Sequence, residues 1–133
     1  TDSNLTTIYV GLFASGGNNT ALATALESGT NSTSGTGNWG YYEINAGNYT
    51  RKSVGFASAS TGSISSNTTV EFNVATADYQ TAGTTGNTVT HIALLDGSTG
   101  NNVLFYGQLA TAKTVSSGDQ FTITSGNLTI TLS

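Results

Sequence analysis

The chain has 133 residues, of which 36% are hydrophobic and only 8% charged, and its formal net charge is −4. That length sets one domain with a core. Three basic residues, Arg51, Lys52 and Lys113, leave no cationic footprint for a nucleic acid. No apolar run approaches the roughly 20 residues of a membrane-spanning helix, no basic-then-apolar leader opens the chain, and zero Cys removes disulfides and thiolate metal sites.

Thr, Ser, Asn and Gly dominate instead. Such a composition suits short strands with wet Thr faces, joined by Gly and Asn turns. Leu5–Ala14 is the first expected strand, with Ile8, Val10 and Leu12 on one face and Leu5, Tyr9 and Phe13 on the other. Apolar residues of both parities predict a strand covered on both sides. The stretch 15–48 reads as a long irregular insertion. Within it ALATALES (21–28) has helix formers, with Thr20 as an N-cap candidate and Gly29 after the end, so a short helix near 20–28 is one option. Gly29–Gly40 is turn-like, and its one large residue, Trp39, is followed by Tyr41 and Tyr42. These rings either fold back to cap the sandwich or form a contact surface for a protein or a sugar.

Tyr49–Ser58 is the next expected strand, carrying Arg51 and Lys52 side by side. The pair reads either as a solvated edge guarding against strand addition or as a salt bridge to an acidic partner subunit. Trp39, Tyr41, Tyr42, Arg51 and Lys52 are therefore the candidate partner or glycan contacts. Thr61–Ser66 is a short strand or turn. In TTVEFNV (68–74), alternation sets Val70, Phe72 and Val74 inward. The loop 75–87 has Asp78 and Tyr79 as its anchor.

The C-terminal third organises the chain. Thr90–Asp96 and Val103–Leu109 are apolar on nearly consecutive residues and read as inner strands. Phe121 and Ile123, then Leu128, Ile130 and Leu132, alternate with Thr and read as strands with one wet face. The whole is one all-β domain, 1–133: an antiparallel β-sandwich of about eight strands, jelly-roll-like or Ig-like.

Chemistry is scarce. His91 is the only histidine, in a strand, and reads as a packed residue. An ordinary zinc site would need a second nitrogen or sulfur ligand of this kind. The seven carboxylates are scattered, whereas a glycosidase needs two facing a cleft. The loop Asp96–Asn102 offers one carboxylate where calcium wants six to eight oxygens, and Asp96-Gly97 reads as a turn. Asn-x-Ser/Thr triplets occur at a frequency near chance for so much Ser and Thr. No catalytic residue, metal site or cofactor is expected, and the residues point to a non-enzymatic structural or binding domain.

One resemblance sharpens this. THIALLD (90–96), GNNVLFYGQL (100–109), KTV (113–115), GDQF (118–121) and GNLTITL (126–132) stand in order, after IYVGLF (8–13) and GNYTRKSVGF (47–56). This ordered set resembles a family of small virion proteins of tailed bacteriophages, tail-fibre-like or head-decoration-like. The segment Asn18–Tyr42 is longer than is usual there. The resemblance implies a virion component with no catalytic residues to carry over. The leading expectation is a capsid decoration or cement protein touching the major capsid protein. The alternative is a tail fibre or appendage that binds a host receptor or glycan. Either way the expected partners are other virion proteins and further copies of the chain, a trimer being one form, with assembly in the host cytoplasm.

Overall fold

The computed structural model of the chain describes residues 7–35, 37–57, 62–81, 83, 88–99 and 102–131. Its elements run β1 (Ile8–Phe13), α1 (Asn19–Ser28), a 3-10 turn (Trp39–Tyr41), β2 (Lys52–Val54), β3 (Ser63–Ser65), β4 (Val70–Glu71), β5 (Thr88–Leu95), β6 (Val103–Thr114), β7 (Thr122–Ile123) and β8 (Thr129–Thr131). The main sheet has the order β2-β1-β5-β6, and β3-β8 and β4-β7 form two further ribbons. All the pairings are antiparallel. The fold is a sandwich-like all-β class with one short helix, as the alternation predicts.

β1 sits inside the main sheet because both of its faces are apolar. Val10 and Leu12 enter a cluster with Val54 and Leu94 from the same sheet and Val70, Phe72, Phe121 and Leu128 from the ribbons and their flanks. This is the sandwich core, and each of its large side chains contributes about 1.5–3 kcal/mol by leaving water. Phe13 has the other parity. It joins Leu22, Ala25, Leu26, Trp39, Tyr42, Ala93 and Leu95 in a second cluster beneath α1. The helix begins at Asn19, and Asn18 rather than Thr20 caps it by accepting from the Ala21 N–H. Gly29 ends it in the left-handed conformation at φ 74°.

Several expectations change. Val74 is 52% exposed although Val70 and Phe72 are buried. β4 ends at Glu71; the Phe72 and Ala75 N–H groups then bond to Phe121 O and Asp119 O, and Ala75 turns inward in place of Val74. The strand expected over 49–58 is confined to Lys52–Val54. β6 is not an inner strand: it lies at the end of the sheet order, and Leu104, Phe105 and Tyr106 are 36%, 48% and 37% exposed. The described residues cover β6 only in part: Val103 and Leu109 pack against the two clusters and the Tyr106 hydroxyl donates to Glu27 of α1, while Leu104 and Phe105 stay open to solvent. Leu128 is inward as expected, whereas Leu5 and Leu132 lie outside the described residues.

Candidate functional site

The edge of β1 is shared. Ile8–Val10 pair with β2, while further along Ala14 N–H donates to Tyr42 O and Ile44 N–H to Leu12 O. Glu43 therefore lies opposite Phe13, and Arg51 lies just before β2. The two side chains meet on the helix side of the sheet, at the join between β2 and the 42–44 segment. Arg51 Nε donates to Glu43 Oε2 at 2.7 Å and Nη2 to Oε1 at 2.8 Å. This is a two-pronged, charge-assisted pair. Nη1 reaches Gly97 O at 2.9 Å, in the loop between β5 and β6.

Tyr49 completes the corner. Its hydroxyl donates to Glu43 Oε2 at 2.7 Å and accepts from the Leu12 N–H at 3.1 Å. Its ring stacks on Phe72 at 6.0 Å. Gly11 makes room for the carboxylate, since a Cβ there would lie 3.2 Å from Glu43 Oε2 and 3.0 Å from Leu95 Cδ1. The Arg51 guanidinium lies 5.4 Å from the centre of the Trp39 ring, a distance at which a cation is attracted to the aromatic face.

The electrostatics follow from burial. The side chains of Arg51 and Glu43 are 4% and 15% exposed. Burial on its own disfavours the guanidinium cation, but the hydrogen bonds and charge of Glu43 outweigh it and hold the Arg51 pKa above its ordinary value. Burial, and then the Glu43 charge, push the Tyr49 pKa well above its ordinary value. Tyr49 therefore remains a hydroxyl donor.

Of the five candidate contacts, the structure brings Arg51 and Trp39 together and buries both. Trp39 and Tyr42 are 0% and 2% exposed and belong to the helix-side core. Their burial follows from the 3-10 turn, which turns Trp39 edge-on against Phe13 at 6.2 Å. The Trp39 Nε1–H has no hydrogen-bond partner among the described residues. Tyr41 stays half-buried beside Tyr42. Arg51 is buried, and its side chain pairs with Glu43 of the same chain. Lys52 turns the other way, and its Nζ donates to Asn73 Oδ1 at 2.7 Å.

Above the ion pair lies an open cleft of about 400 Å³. Gly40, Glu43, Ile44 and Arg51 line it with the exposed Asn31, Thr33, Asn45, Thr50, Ser98 and Thr99. Glu43, Tyr49 and this cleft were missed from the sequence. The adjacency of Glu43 to Tyr42 in a chain with few charges was the one available signal. His91 is 3% exposed, and its Nδ1 is 2.9 Å from Thr90 Oγ1. Asp96 serves its turn by accepting from the Asn102 N–H at 2.8 Å. Tyr79 is buried and donates to Asn73 O, and Asp78 accepts from the Ser117 N–H, so both anchor the 75–87 loop as expected.

No curated protein matches the chain significantly. A family of phage virion fibre proteins does match, over residues 3–131, which takes in both faces of the sheet, the Glu43–Arg51 corner and the cleft. The chain thus belongs to the family described as Podophage GP4 fiber I protein gp80, and is a phage structural protein.

Proposed function

We propose that the chain is a non-enzymatic fibre or tail-appendage subunit of a tailed phage, rather than a cement protein of the capsid. The observation that carries this reading is the match to a fibre family over nearly the whole chain. The geometry is compatible with it: the polar groups of the Glu43–Arg51–Tyr49 corner are engaged with one another and with the backbone, an arrangement that braces a scaffold.

The edge of β6 is the contact surface we assign within the particle, and copies of this chain are its occupant. Val103–Ala112 carries no charge, so antiparallel pairing of two such edges brings no like-charge repulsion. Leu104, Phe105 and Tyr106 supply apolar area there. Lys113, near the end of β6, is the one charge on this strand, and an edge with so little charge and no Pro is a template for strand addition.

Gold-labelled antibody against the chain, imaged on intact particles, tests the location. Label on the tail is expected. Label spread over the capsid lattice would return the reading to a cement protein.

A further inference from the structure

We propose that the cleft above the Glu43–Arg51 pair is a binding site for a neutral saccharide. The proposal gives the fibre reading a ligand, and rests on that reading only for the ligand's source, the glycans of a bacterial surface.

The chemistry of the lining selects the class. The rim side chains of Asn31, Thr33, Asn45, Thr50, Ser98 and Thr99 are amides and hydroxyls. Each can both donate and accept a hydrogen bond. A polyhydroxylated ligand has the same two-way capacity. A charged ligand fits worse. The one cation of the lining, Arg51, commits Nε and Nη2 to Glu43 and Nη1 to Gly97 O. The carboxylate already accepts from Tyr49 and twice from Arg51. The two charges neutralise each other and leave a floor without net charge. A volume of about 400 Å³ falls in the range of small-ligand sites.

The walls are held. On one side, Trp39 N–H donates to Thr30 O at 3.0 Å. Gly40 allows the 31–32 segment to approach, because a Cβ there would meet Asn31 Oδ1 at 2.7 Å and Ser32 O at 3.0 Å. On the other side, the bond from Arg51 to Gly97 O fixes the turn that carries Ser98 and Thr99. Asn45 is placed by its N–H donating to Gln80 O at 2.8 Å. A site whose polar groups are positioned before binding loses less entropy on binding.

The test uses the whole recombinant chain, isotope-labelled for amide NMR and titrated with a panel of neutral and of sialylated or sulfated oligosaccharides. Binding of at least one neutral member is expected, with shifts concentrated at Asn31–Thr33, Asn45, Thr50 and Ser98–Thr99. The double variant Asn45→Ala/Thr99→Ala changes two exposed side chains and keeps the native spectrum. It is expected to weaken binding about tenfold, two neutral hydrogen bonds' worth. The proposal is overturned by no neutral binder in the panel, by shifts elsewhere on the chain, by binding that survives the double variant, or by charged sugars alone binding. Gold labelling of the particle reads the fibre assignment separately, so either idea can fail without the other.

Discussion

The two faces of the central sheet are packed by different means. On one face many medium-sized side chains alternate along short ribbons, from Val10 and Leu12 across to Val70, Phe72, Phe121 and Leu128. On the other a few large groups dominate: Trp39, Phe13 and Tyr42, with the Arg51 guanidinium laid beside the indole. A face built from many similar contacts spreads its stabilisation. A face built from few concentrates it, so single substitutions there cost more.

Arg51→Met is the sharpest way to break that contrast. It leaves Glu43 buried without its counter-charge and is expected to cost about 3–5 kcal/mol in urea unfolding. Adding Glu43→Leu removes the stranded charge, so the double variant is expected to be more stable than Arg51→Met alone; equal or greater loss would show that the ion pair itself, not its pairing requirement, stabilises the corner. Trp39→Ala is expected to cost about 3–5 kcal/mol. Trp39→Phe is expected to cost less, because it also removes a buried N–H that has no partner among the described residues. On the sandwich face, Leu128→Ala is expected to cost about 2 kcal/mol, since Leu128 lies at the rim of its cluster at 9% exposure.

Smaller effects sharpen the comparison further. Asn18→Ala removes the cap of α1 and is expected to cost about 1 kcal/mol. His91 lies on β5 within the same sheet, opposite Phe13, and burial lowers its pKa below the ordinary 6.5. The folded state thus favours neutral imidazole. That contribution is present above pH 6.5 and is lost as the pH falls below it toward the folded pKa. Thermal unfolding of the wild type between pH 7.5 and 5 is expected to show this decline, and His91→Gln to flatten it. Phe105→Ser on the exposed edge is expected to change stability by less than about 0.5 kcal/mol while reducing self-association in sedimentation velocity. An unchanged sedimentation profile would remove β6 as the contact between copies.

The contrast also explains what was legible beforehand. Alternation with Thr marks one buried face, so Val70, Phe72, Phe121 and Leu128 could be set inward from the sequence. Val74 could not, because alternation does not say where a ladder stops. The helix-side face left a fainter trace. ALATALES left a helix as one option, with Gly29 after its end, but no periodicity links Trp39 to Phe13. Arg51 beside Lys52 reads as a solvated pair, since counting along the chain does not reveal that 42–44 and β2 share one edge of β1. The apolar run of β6 signalled a need for cover without naming its source. The cleft is built from three separate loops and has no local signature.

The bond from Arg51 to Gly97 has a mechanical consequence. Arg51 lies at the β1–β2 border, whereas Gly97 is in the hairpin that joins β5 to β6. The guanidinium is thus a cross-tie spanning the breadth of the sheet. A load that peels the β5–β6 hairpin from its tip must first break a charge-assisted bond anchored in turn to Glu43. Tension along the strands would instead be shared by the whole β1–β5 ladder. In the proposed fibre, that corner would turn a pull on one edge into a pull on the entire domain.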